Sequence, residues 1–250
     1  LYEIKPTIDI SADDEYAFRY SCQEGYLDIA KWLYEIKPTI DISAEDEFAF
    51  RYSCEKGHLD IVKWLYEIKP TIDISADDEY AFNWSCQYGY LDVAKWLIEI
   101  KPTIDISTEN EYAFRNSCYN GHLDVAKWLY EIKPTIDISA LNEYAFIWSC
   151  IHGHLDVAKW LYEIKPTIDI SIRDIDELAN QEVIKWLITL NNHGLTYKII
   201  NGMYILYKKI KTIKKENIVF NDKCCICLEE PNCLTECNHD MCLECIDMLR

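Results

Sequence analysis

The chain has 250 residues, half of them hydrophobic, and a formal net charge of −18. That length exceeds one small domain, and the apolar content excludes a disordered chain. The pI near 4.7 excludes a general nucleic-acid binder, which needs a basic face to neutralise phosphates. No apolar run reaches the ~20 residues that span a bilayer. Neither nucleic acid nor a membrane is therefore expected as a partner.

The strongest signal is a period. Trp32, Trp64, Trp96, Trp128 and Trp160 lie 32 residues apart, as do Cys22, Cys54, Cys86, Cys118 and Cys150. A fixed period of this size predicts stacked supersecondary units, because one short unit cannot bury its apolar face alone. Full units run over 10–41, 42–73, 74–105, 106–137 and 138–169, preceded by the tail of another at 1–11. A shortened unit at 170–190, in which Trp160 to Trp186 is 26 residues, is expected to close the stack. The array is thus placed at 1–193, a connector at 194–220 and a separate module at 221–250.

Within the unit at 42–73, Ala49, Phe50, Ser53 and Cys54 share one face of a helix over 47–54. Glu45, Asp46 and Glu47 suit its N-terminus, where the helix dipole favours negative charge. Gly57 breaks the chain. Leu59, Val62, Leu65 and Ile68 then line a second helix, flanked by Ile61 and Trp64 and ended by Pro70. Thr71-Ile72-Asp73-Ile74-Ser75 alternates polar and apolar, which predicts a short extended arm. The fold class is mainly α, an αα-hairpin solenoid with a small C-terminal module.

The internal copies separate scaffold from surface. The repeated cysteine reads as a small buried hydrophobe and not as a metal or redox site. The tryptophan reads as a packing anchor worth at most ~4–6 kcal/mol if fully buried. His58, His122 and His154 share a slot with Tyr26 and Tyr90, which points to a hydrogen bond across the turn and away from catalysis. The pair before the turn glycine varies: Gln23-Glu24, Glu55-Lys56, Gln87-Tyr88, Tyr119-Asn120 and Ile151-His152. Tyr20, Tyr52, Trp84, Asn116 and Trp148 vary as well, at positions read as partly buried between repeats.

The segments GHLDIVKWL at 57–65 and GHLDVAKWL at 121–129 and 153–161 resemble the second helix of ankyrin repeats. The resemblance covers about three quarters of the chain. It departs at the first helix, where Phe48-Ala49-Phe50-Arg51 replaces the family's Thr-Pro-Leu-His, and the glycine-containing β-turn is missing, so the fingers between units are expected to be shorter or differently shaped. The phrase KWLYEIKPTIDIS is similar to ankyrin proteins encoded by giant viruses of amoebae. The resemblance implies an unknown target protein on a concave face. In the family the variable pair lines that face, so Gln87, Tyr88, Tyr119, Asn120, Ile151 and His152 are the candidate partner-binding residues. Neutral drift at exposed positions accounts for the same variation.

Beyond Asn192 the period is lost. Tyr197–Leu206 carries Asn201-Gly202 between apolar runs, a hairpin signal, while 203–215 reads equally as an amphipathic helix. The lysines at 208, 209, 211, 214 and 215 read as a solvated helix or linker. Seven cysteines crowd into the end of the chain, and their spacing, together with one cysteine per repeat, indicates reduced thiols in an intracellular, cytoplasmic protein. Cys224-x2-Cys227, Cys237-x-His239 and Cys242-x2-Cys245 supply six donors of the soft and borderline kind that zinc takes. The pattern resembles the first six ligands of a RING finger. In that family the first and third pairs share one zinc, here Cys224, Cys227, Cys242 and Cys245. Cys237 and His239 would begin a second site, and Ile226 matches the family's contact to a ubiquitin-conjugating enzyme. The last two ligands lie beyond Arg250, and the chain starts within a repeat, so the sequence is expected to be a piece of a longer protein. The resemblance implies a substrate-recruiting ubiquitin ligase. The alternative is a non-enzymatic scaffold with a structural or vestigial zinc module.

Overall fold

The computed structural model describes residues 9–168 and 180–190, together with the backbone pairing of 195–200, 203–208, 233–234 and 240–241. The chain divides into two compact units, 1–145 and 146–250. The first holds α1 (Ala12–Gln23), α2 (Leu27–Ile36), α3 (Ala44–Glu55), α4 (Leu59–Ile68), α5 (Ala76–Gln87), α6 (Leu91–Ile100), α7 (Thr108–Tyr119) and α8 (Leu123–Ile132). Helix α9 (Ala140–Ile151) straddles the division. The second holds α10 (Leu155–Ile164), α11 (Gln181–Thr189) and four strands, β1 (Leu195–Ile200), β2 (Met203–Lys208), β3 (Cys233–Leu234) and β4 (Asp240–Met241).

The predicted face of the first helix forms the core, with Ala49, Phe50, Ser53 and Cys54 of α3 fully buried. In α4 the face is shifted: Val62 and Leu65 are fully buried together with Ile61, expected as a flank, while Leu59 and Ile68 are half-buried. The phenylalanines Phe18, Phe50, Phe82, Phe114 and Phe146 are the largest fully buried side chains. The tryptophans are less deeply set than the sequence suggests: Trp32 is 44% exposed and Trp64, Trp96 and Trp128 are half-buried. Trp64 meets Phe18 and Tyr34 of the preceding repeat, each with ring centroids 6.1 Å apart, and Trp96 meets Tyr66 edge-on at 5.6 Å. Each is a cover between repeats, and a cover keeps one side in water.

Right-handed helix begins at Phe48, because Glu45, Asp46 and Glu47 have φ of 56°, 53° and 61°. The same left-handed turn opens each first helix. Such backbone costs roughly 1–2 kcal/mol per residue for side chains with a Cβ. Local bonds offset that cost. Arg51 donates through Nε to the Asp46 carbonyl at 2.6 Å and through a terminal nitrogen to the Glu45 carbonyl at 3.3 Å. Arg115 does the same to Asn110 at 2.6 Å and Glu109 at 2.9 Å.

A buried carboxylate, at Glu15, Glu47, Glu79 and Glu111, closes the repeats of the first unit. Glu47 is 8% exposed; it accepts from the Ser43 hydroxyl at 2.5 Å and from the Asp73 amide at 3.3 Å, while Lys69 donates to Ser43 Oγ. The loop leaving the repeat is thereby tied to the start of its own first helix. This loop corrects one expectation. It is two successive turns, with Ile72 N donating to Lys69 O and Ala76 N to Asp73 O, and no extended arm. Ile72 and Ile74 are both buried around exposed Asp73, so the alternation that read as a strand marks a turn with two apolar feet.

The histidine–tyrosine slot is also used differently. His58 Nε2 lies 3.1 Å from Gln23 O of the preceding repeat, and a Cβ on Gly25, at φ +83°, would stand 2.7 Å from the His58 ring. The ring bridges repeats by lying on the preceding glycine, and Tyr90 does likewise over Gly57. In the second unit Asn180 takes this place over Gly153 and caps α11 by accepting from the Glu182 and Val183 amides. Trp186 packs on Phe146 and Tyr162, with centroids 6.3 and 6.0 Å away. Of the two readings left open for 197–206, the hairpin is the one found: β1 and β2 pair antiparallel with Ile200 opposite Met203. Among the described residues no helix is long and apolar enough to cross a membrane.

The difference between anchor and cover has a measurable consequence. Phe82→Ala is expected to cost ~3–5 kcal/mol, the range for emptying a filled aromatic site. Trp96→Ala is expected to cost less, about 1–3 kcal/mol, because its ring is already half in water. Urea unfolding of both variants measures the order, and a larger loss at Trp96 would contradict it.

Candidate partner-binding face

The first helices carry aromatic side chains four residues apart, which places them on one side of a helix. Tyr16 stacks on Tyr20 with centroids 5.7 Å apart, Phe48 on Tyr52 at 4.0 Å and Tyr80 on Trp84 at 5.2 Å. These pairs also meet across repeats: Tyr52 is 5.7 Å from Tyr80, and Trp84 is 6.2 Å from Tyr112. The result is a ladder of rings along α3, α5 and α7. Tyr16, Tyr20 and Tyr88 are exposed.

Polar bonds fix the ladder. The Tyr80 hydroxyl donates to Glu55, a buried carboxylate that also pairs with Lys56 at 3.0 Å. Burial, reinforced by that bond, pushes the Tyr80 phenol well above its ordinary value. The Tyr112 hydroxyl donates to Gln87 Oε1 at 2.7 Å. Arg51 joins the Asp77 carboxylate at 2.7 Å and stands 4.9 Å over the Tyr80 ring, a favourable cation–π arrangement.

The six residues expected to meet a partner therefore divide. Gln87 and Tyr119 are half-buried and face the next repeat, Gln87 through Tyr112 and Tyr119 through a stack on Tyr144 at 6.3 Å. Asn120 is half-buried and donates to Asn116 O at 3.0 Å. Tyr88 is 41% exposed, with its ring 5.7 Å from Trp84. In the second unit Ile151 is half-buried, while His152 is exposed between Trp148 at 5.5 Å and His154 at 6.3 Å. Glu55, Gln87 and Tyr119, the first members of three variable pairs, thus join consecutive repeats, while the second members Lys56, Tyr88 and His152 are exposed. Tyr16, Tyr80 and Tyr112 belong to the face and were missed. Their four-residue spacing from Tyr20, Trp84 and Asn116 was the signal.

The repeated cysteines are buried thiols. Burial pushes each of them well above its ordinary value of 9.0, which opposes thiolate chemistry. The donors Cys224, Cys227, Cys237, His239, Cys242 and Cys245, and Ile226 beside them, lie outside the described residues. The backbone there pairs Cys233 with Met241 and Leu234 with Asp240, on either side of Cys237 and His239 in the chain.

Helix pairs of one design, each covering the apolar face of the one before, define a helical repeat protein. The family model for ankyrin repeats (3 copies) matches residues 18–110 and 82–174, together more than half of the chain. The protein belongs to the ankyrin-repeat family, and its array is a protein-binding scaffold. No curated protein matches the chain.

The raised thiols set the sign of a pH effect. Between pH 9 and the higher folded values the folded array holds protons that the unfolded chain releases. Stability is therefore fully present below about pH 8.5 and is lost as pH rises, by about 1.4 kcal/mol per unit for each thiol. Thermal melts from pH 7 to 10.5 are expected to fall more steeply for the native chain than for the triple variant Cys54→Ala, Cys86→Ala, Cys118→Ala. Parallel curves would contradict the assignment.

Proposed function

We propose that the array captures a target protein and that a RING-type zinc finger at 221–250 brings a ubiquitin-conjugating enzyme to it. The spacing Cys224-x2-Cys227, Cys237-x-His239, Cys242-x2-Cys245, on the same chain as a protein-binding array, carries this reading. The donor set fits the metal: thiolates and imidazole are the ligands zinc takes in closed structural sites. Cys224, Cys227, Cys242 and Cys245 would hold one ion, and Cys237 and His239 would supply half of a second site. Bound there, zinc supplies folding free energy, which a segment of this size needs to hold a structure. Ile226 would offer an apolar contact to the conjugating enzyme. No residue of the array takes part in bond chemistry in this scheme; its contribution is proximity, which raises the effective concentration of target near the charged enzyme.

The phrase KWLYEIKPTIDIS supports an origin in a giant virus of amoebae, and with it action inside a host cell, where thiols stay reduced. The second reading is a scaffold without ligase activity, in which the zinc module is structural.

Native mass spectrometry is expected to find one tightly held zinc ion per chain, lost on Cys224→Ser, with the helical signal of the array unchanged by chelation. Two tightly held ions, or none, would contradict the ligand assignment. A chain extended by a further Cys-x2-Cys pair is expected to assemble ubiquitin chains with at least one conjugating enzyme. A folded, zinc-loaded and inactive extended chain would leave the scaffold reading in its place.

A further inference from the structure

Asn83 breaks a pattern that Arg19, Arg51 and Arg115 keep at the equivalent position. Arg19 lies over the Phe48 ring at 4.8 Å, Arg51 over Tyr80 at 4.9 Å and Arg115 over Tyr144 at 4.9 Å. Each pair is 29 residues apart, and the same spacing joins Asn83 to Tyr112. The short Asn83 amide instead donates to Asp78 O and to Thr108 Oγ1, both at 3.1 Å. Among the described residues no guanidinium stands over Tyr112.

The surroundings of that ring favour a cation from outside. Trp84, whose indole is the best of the aromatic faces for a cation, lies 6.2 Å from Tyr112 and 5.7 Å from exposed Tyr88. Helix α5 carries no lysine or arginine, and the one arginine of α7, Arg115, is buried against the Asn110 and Glu109 carbonyls. The carboxylates Asp78 and Glu109 are exposed at the heads of the same two helices. Aromatic faces and exposed negative charge therefore coincide on α5 and α7, with Arg115 offsetting part of the charge at Glu109.

We propose that Trp84, Tyr88 and Tyr112 form the docking point for an arginine-bearing basic segment of a target protein. The partner's guanidinium stacks on the accessible part of the half-buried Tyr112 ring and supplies from outside the cation that buried Arg51 and Arg115 supply from within to Tyr80 and Tyr144. The inference rests on the array being the target-capturing part of the protein and names the chemistry it captures. Arginine suits the site better than lysine, because a planar guanidinium stacks on rings while its edge reaches carboxylates. The net charge of −18 adds long-range attraction, but the rings make the choice.

Fluorescence anisotropy of the full chain, without ubiquitin components, tests this separately from any ligase activity. The probe is a labelled peptide of four Arg-Gly repeats at 0.15 M salt; its control carries citrulline, equal in shape and uncharged, at every arginine. The arginine peptide is expected to bind at least about tenfold more tightly than the citrulline peptide. Asn83→Arg places the chain's own guanidinium over Tyr112 and is expected to weaken peptide binding at least about fivefold. Tyr112→Leu, which keeps apolar bulk and removes the ring, is expected to weaken it similarly, with circular dichroism confirming that each variant folds. Arginine-peptide binding unchanged in every folded variant would show attraction to net charge alone and overturn the proposal. Equal binding of the citrulline peptide, or self-association of the chain with no peptide binding, would overturn it too.

Discussion

A carboxylate buried at Glu15, Glu47, Glu79 and Glu111 governs the geometry of the repeats. Removing a charge from water is expensive unless hydrogen bonds replace the lost hydration; Glu47 obtains two on Oε1, from Ser43 and from the amide of Asp73, while its Oε2 is buried without a hydrogen bond. Glu111 obtains one on each oxygen, from Ser107 at 2.7 Å and from Asp137 N at 3.4 Å. These donors sit at opposite ends of the repeat, so satisfying the carboxylate fixes the path of the loop that leads onward. The lysine that reaches the serine from that loop completes the closure. This accounts for polar residues recurring in each copy that a purely apolar stack would not need.

The same closure bears on binding. First helices held at a fixed spacing present their aromatic side chains in register, and rings already stacked lose little freedom when a partner arrives. Arg51 shows how a cation is held beneath this surface: its buried guanidinium shares Asp77 and the Tyr80 ring. The face is thus largely pre-formed, with its polar atoms engaged between repeats and its ring edges and faces turned outward at Tyr16, Tyr20 and Tyr88.

Several features were open to reading from one-dimensional information. The helical face of Ala49, Phe50, Ser53 and Cys54 follows from spacing alone, and so does the second helix ended by Pro70. The loop at 71–75 was misread because alternation of polar and apolar residues is shared by strands and by turns that plant two apolar feet. Only the bonds Ile72 N to Lys69 O and Ala76 N to Asp73 O distinguish them. Local rules place the bond of His58 within its own turn, whereas its partner, Gln23 O, is 35 residues away, a distance that no local rule reports.

Sequence by itself determined the repeating helix pair, its period and the apolar faces, because these depend on local propensity and on a spacing written directly in the chain. It also supplied the cysteine and histidine pattern on which the zinc proposal stands. Tertiary structure decided which aromatic side chains are anchors and which are surface. Phe82 and Trp84 are two residues apart and equally aromatic, yet one is sealed between helices and the other joins the exposed ladder. Burial is a property of what the neighbouring repeat brings to that position, and only stacking the repeats reveals it.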